Sequence, residues 1–156
     1  MQRLSRVSAK PFDEVVARIE SALGHPEIGA FQKSMAAARS EAELQGVVAA
    51  ALGPSGLIEF ARFDLGEVLR QARRARTARV LRLIVGNPLI MKEMVGRVPD
   101  AGSYAPVTIL IDEREDGVHL SYDTMASFLA PYGEQGALKV ARELDARIES
   151  LLAAVA

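Results

Sequence analysis

One stretch, VTILIDEREDGVHLSYD at residues 107–123, constrains the fold more than any other. Two runs, 107–113 rich in β-branched residues and 118–123 alternating apolar with polar, flank a turn over Glu115-Asp116-Gly117. So short a connection leaves no room for a crossover, so the two strands must pair antiparallel as a hairpin. A hairpin alone is marginal in water and needs further strands or a helical layer to bury its apolar face.

The rest of the chain supplies both. Residues 2–8, LIEFARF (57–63) and RVLRLIV (79–85) read as three more strands, the last apolar enough to be central. Helical spacing marks 11–23, with Pro11 in the first turn and Phe12, Val15, Val16 and Ile19 on one face. A shorter helix is expected over about 27–38. Ser40 and Glu43 then form a capping box for a helix that stops at Gly53-Pro54. Further helices are predicted from Asp64, from Pro88 to about Arg97, over 124–130 and from Gly136 to about Ala154. The last carries Ala141, Leu144, Ile148, Leu151 and Val155 in steps of three and four, a seam for helix 11–23 or for a second subunit. The expected architecture is an α/β (α+β) two-layer sandwich: a mixed sheet of about five strands with helices mainly on one face. We expect a single domain over 1–156, with 24–56 as a helical, insertion-like region.

Composition narrows the function. With 156 residues, 49% of them apolar, the chain is long enough for a hydrophobic core. It has no cysteine, which removes disulfides, thiolate metal sites and cysteine nucleophiles. No apolar run approaches the roughly 20 residues of a membrane span, and the first residues lack a signal-peptide pattern, so a cytoplasmic protein without membrane contact is expected. The net charge of −1 and 5% aromatic content argue against nucleic acid as a partner. The basic run containing Arg70, Arg73, Arg74, Arg76, Arg79 and Arg82 reads as a solvated face. Neither a G-x-G-x-x-G fingerprint nor a Walker loop occurs, and no cofactor is implied.

A strand ending in Phe63-Asp64 is followed by one ending in Val85-Gly86-Asn87-Pro88. A Pro106-led strand and Gly117-Val118-His119-Leu120-Ser121-Tyr122-Asp123 complete the series. In order and spacing these pieces resemble the bacterial and archaeal family catalogued as domain of unknown function 302. The resemblance spans 57–132, with weaker agreement over 2–23. It implies a compact α/β domain that forms homodimers, and it carries over no catalytic residue. Many relatives place a histidine after the aspartate equivalent to Asp64, where this chain has Leu65. That departure weakens any role built on an Asp-His pair.

The candidate ligand-binding residues are Asp64, Gly86, Asn87, His119, Tyr122 and Asp123. Ligands of open α/β sheets collect outside strand carboxyl ends, where Asp64, Asn87 and Asp123 all stand. Were those strands parallel, the three would converge on one pocket for a small molecule or anion. A proton-transfer or cation-assisted enzyme built on Asp64 and Asp123 is the alternative. The bland reading is equally physical: Asn87 and both aspartates cap the helices that follow. His119, without partners of ligating spacing, reads as a hydrogen-bonded bystander, and no metal is expected. Met91 and Met94 read as packing residues or as the yielding wall of a hydrophobic site or a protein-interaction module.

Overall fold

The computed structural model describes residues 1–72 and 79–156. Five strands form one sheet: β1 (Arg3–Ser8), β2 (Ile58–Asp64), β3 (Val80–Gly86), β4 (Val107–Arg114) and β5 (Gly117–Asp123). Their spatial order is β1-β5-β4-β3-β2. Around them lie α1 (Phe12–Ala22), α2 (Ile28–Ala37), α3 (Glu41–Ala51), α4 (Leu65–Gln71), α5 (Pro88–Val95), α6 (Met125–Leu129) and α7 (Gln135–Val155). The expected two-layer α/β sandwich is present.

All four ladders are antiparallel. Parallel pairing is confined, among the described residues, to a single bridge between Gly24 and Ile58. The mixed character expected from the long connections thus comes down to that bridge. Length alone misleads here: α4 packs beside β3, and α5 turns at the end of the sheet, so neither carries the chain back to the sheet's other end. At the bridge, Gly24 and Gly53 both donate to the Leu57 carbonyl, at 2.8 and 3.1 Å. Their backbones meet so closely that a Cβ on Gly24 would fall 1.8 Å from the Ala51 carbonyl oxygen.

Alternation along the strands sorts the two faces. Leu81, Leu83 and Val85 of β3, Val107, Ile109 and Ile111 of β4, and Val118, Leu120 and Tyr122 of β5 are buried under helices. Each fully buried aliphatic of this kind stabilises by about 1.5–3 kcal/mol. The seam of α7 is consumed within the chain: Ala141, Leu144, Ile148, Leu151 and Val155 are buried in the same core as Val15 and Ile19 of α1. It is therefore not an exposed surface for a second subunit. Helices α2 and α3 pack Phe31 and Val48 on Ile58 in a second, smaller cluster. The opposite sheet face, with Arg82, Thr108 and Leu110, is incompletely covered, so β3 is a half-exposed strand rather than one buried on both sides.

The Ser40 half of the capping box is formed, its Oγ accepting the Glu43 N–H at 3.1 Å, while Glu43 reaches back one residue further and accepts the Arg39 N–H at 2.7 Å. Among the described residues no helix is long and apolar enough to cross a membrane.

Candidate functional site

Antiparallel pairing decides which strand ends meet. Asp64 pairs with Leu81 at the start of β3, whereas Ile58 pairs with Gly86 at its end. Asp64 and Asn87 therefore stand about 20 Å apart, six residues of strand. Val85 pairs with Val107, and Ile109 with Tyr122, so Gly86, Asn87, Tyr122 and Asp123 share one end of the sheet. His119, paired with Asp112 and Val7, stands toward the other end with Asp64. The convergence expected of Asp64, Asn87 and Asp123 does not occur, because the strands alternate in direction. An enzyme needing both Asp64 and Asp123 at one substrate has no geometric support.

At the far end the polar groups satisfy one another. Asp64 caps α4, accepting the Glu67 N–H at 2.8 Å, and Arg70 donates to it at 3.2 Å. Those two interactions hold its carboxyl below the usual range. It borders an open hollow of about 400 Å³ with Arg79, which is itself paired with Asp13 and stacked 4.6 Å from the centre of the Phe12 ring. His119 Nε2 lies 2.7 Å from Asp116 Oδ1 across the hairpin turn, and this contact lowers the Asp116 carboxyl. Of the basic run, Arg73, Arg74 and Arg76 lie outside the described residues. No group of three or more His, Asp or Glu placed to hold a metal occurs among the described residues.

The near end is built differently. Asn87 caps α5, its Oδ1 accepting the Leu89 N–H at 2.9 Å while its Nδ2 donates to the Gly56 carbonyl at 3.0 Å. Ile90 and Met91 donate to the Asn87 carbonyl at 3.1 and 2.9 Å, and Pro88 has no N–H. The first turn of α5 thus has no spare donor for an anion. Gly86 is a glycine for space: a Cβ there would approach Pro106 Cβ to 3.3 Å and the Phe60 ring to 3.5 Å. Together these residues wall a cavity of about 350 Å³ between α5, α7 and the end of β3. Met35, Met91, Met94, Val95, Leu144 and Pro106 line it, and Asn87 is its single polar side chain among the described residues.

Tyr122 is 1% exposed and points into the core. Its hydroxyl donates to Asp145 Oδ1 at 2.6 Å, and the same carboxylate accepts the N–H groups of Met125 and Ala126 at 2.8 and 3.0 Å. Burial, then the neighbouring Asp145 charge, pushes the phenol well above its ordinary range. Asp145 thus caps α6 from α7, the role sequence reasoning gave to Asp123. Asp123 instead takes both nitrogens of the Arg3 fork, at 2.7 and 2.9 Å, and this hydrogen-bonded pair lowers its carboxyl. Nothing in the local sequence marks Asp145, one charge among many on a long helix. The cavity wall was partly legible, since Gly86, Asn87, Met91 and Met94 all drew attention. Met35, Phe60 and Leu144 arrive from distant segments with no motif to announce them.

The family model described as "Domain of unknown function DUF302" matches residues 34–155, so the matched span begins inside α2 and takes in every residue lining the cavity behind Asn87 but not β1. A crystal structure of an uncharacterised conserved DUF302 protein from Bacillus stearothermophilus shares the fold, with a TM-score of 0.69 over 97% of this chain and 96% of that one. Its identity of 12% extends the likeness to the fold alone. Among curated proteins none matches the chain. With four-fifths of its length under the family model and the same fold throughout, this chain belongs to the DUF302 family.

Proposed function

We propose that the protein is a homodimeric, cytoplasmic domain that binds a small, predominantly apolar molecule in the cavity behind Gly86-Asn87-Pro88. One observation carries this reading. The cavity encloses about 350 Å³, within the range of small-molecule sites, and offers an almost wholly apolar wall. The cleft is open enough to admit an apolar molecule, whose binding would take its own surface and that of the wall out of water. Three flexible methionines, Met35, Met91 and Met94, line it and can adapt to an occupant's shape. Asn87, its amide engaged on both sides, acts as rigid wall rather than as a charged grip.

Support for the dimer lies elsewhere on the surface. Phe63, Leu65, Val68 and Leu69 at the β2–α4 corner are exposed by 48%, 40%, 66% and 37%. A contiguous apolar patch of this kind favours association, and symmetric dimers are its commonest outcome. A chain without cysteine needs no oxidising compartment, which fits the cytoplasm.

Native mass spectrometry of freshly purified protein tests both parts. The expected spectrum shows a dimer carrying a co-purified small molecule, and a Val68→Lys variant that is monomeric yet still loaded. A bare monomer whose stability no apolar compound raises would contradict the proposal.

A further inference from the structure

A second cavity lies on the incompletely covered face of the sheet, at the same end. It encloses about 410 Å³ and is bordered by Arg3, Arg82, Thr108, Leu110, Ser121 and Asp123. Pro106 and Val107 border both cavities. In register, Ser121 pairs with Leu110 and Leu110 with Arg82, so a hydroxyl and a guanidinium flank an apolar floor across three adjacent strands.

Two polar groups here face the cavity with hydrogen-bonding capacity open to a ligand. Ser121 is 6% exposed and borders the cavity, yet its hydroxyl makes no hydrogen bond among the described residues. Its Oγ is not sealed from solvent, so the hydroxyl is presented to the cavity rather than trapped inside the protein. Arg82 donates only two long hydrogen bonds, 3.3 and 3.4 Å, to the Thr108 hydroxyl, and meets no carboxylate among the described residues. Its guanidinium lies 6.0 Å from the centre of the Phe63 ring, and its Nη1 makes no hydrogen bond among the described residues. Arg3, by contrast, is neutralised by Asp123 in a two-pronged pair. The cavity therefore holds one net positive charge, supplied by Arg82.

We infer that this cavity is a binding site for a small monocarboxylate with an apolar or aromatic body. The planar fork of Arg82 matches a carboxylate in two parallel hydrogen bonds. Ser121 supplies a further donor. Leu110, Phe128 and the ring of Tyr104, which stacks on Phe128 at 4.8 Å, receive the apolar body. A dianionic phosphate is disfavoured, because the Asp123 carboxylate borders the same space. The site stands on observations independent of the apolar cavity behind Asn87.

Titration of 15N-labelled protein with benzoate, benzyl alcohol and inorganic phosphate tests the assignment. Benzoate is expected to shift the amides of Thr108, Ser121 and Asp123 saturably. Arg82→Gln should weaken it by at least about tenfold, the loss of a charge-assisted pair, and Ser121→Ala by about threefold. Unchanged benzoate affinity in Arg82→Gln would overturn the inference, as would benzyl alcohol binding equally well or phosphate binding more tightly. Benzoate shifts confined to Met94, Val95 and Gly102 would assign it to the apolar cavity and equally overturn the inference.

Discussion

The two ends of the sheet use the same residue types to opposite effect. At the far end, Asp64 pairs with Arg70 and Asp116 meets His119 at or near the surface, and of the charges that border the hollow Asp64, Arg70 and Arg79 are paired. At the near end, apart from the exposed Arg3–Asp123 pair, the polar groups are drawn inward to hold backbone. Asp145 and Tyr122 pin α6, Asn87 pins α5 to the loop at Gly56, and the cleft beside α5 is walled almost wholly by apolar side chains. A strand-end polar residue is thus no guide to a ligand by itself. What matters is whether it spends its hydrogen bonds closing a surface or holding a cavity open.

The contrast predicts a ladder of effects. Asp145→Ala removes the acceptor for a buried phenol and two backbone N–H groups, and should cost about 3 kcal/mol by urea denaturation. Asn87→Ala loses both a helix cap and a bond to Gly56, with an expected cost of about 2 kcal/mol and weaker binding of any cavity ligand. Asp64→Ala loses a half-exposed cap and should cost about 1 kcal/mol with binding intact. Equal costs and equal binding for the Asn87 and Asp64 variants would erase the distinction between the ends.

A smaller effect depends on pH. Arg3 lowers the folded pKa of Asp123, so the pair's stabilisation is complete above the unfolded carboxylate's pKa of about 3.9 and is lost as pH falls through the folded value. The stability gap between wild type and Asp123→Asn should be constant near neutrality, below about 1 kcal/mol for so exposed a pair, and should close in acid. A gap that widens in acid would mean Asp123 has another partner. Smallest of all, Thr124 Oγ1 is buried without a hydrogen-bond partner among the described residues, so Thr124→Val should leave stability unchanged or raise it slightly.

Local patterns in the sequence carried most of the fold. The hairpin at 107–123, the capping box at Ser40, Pro88 after Asn87 and the seam of α7 each act within a few residues, where periodicity and turn chemistry are decisive. Strand direction is not local. It rests on how α4 and α5 pack, and the expected clustering of Asp64 with Asn87 failed on that point alone. The candidate site divided along the same line. The cavity's near wall, Gly86 to Met94, is one contiguous stretch and drew notice, whereas Phe60, Leu144 and Met35 are ordinary core residues until the fold assembles them. Arg82 reads from sequence only as one charge of a solvated basic run, although it is the single polar side chain of an otherwise apolar strand, β3.

The most direct test of the central claim is the thermal stability of the protein with toluene, in wild type and in Gly102→Leu. A Cβ at Gly102 meets only Val95 Cγ2, at 3.9 Å, so the larger side chain has room to enter the cavity. At tenfold its Kd, toluene should stabilise the wild type by about 1.4 kcal/mol. That corresponds to a rise in Tm of roughly 3–6 °C. Gly102→Leu should fold and show no rise. An unmoved wild-type Tm, or an equal rise in both proteins, would contradict the cavity as a ligand site.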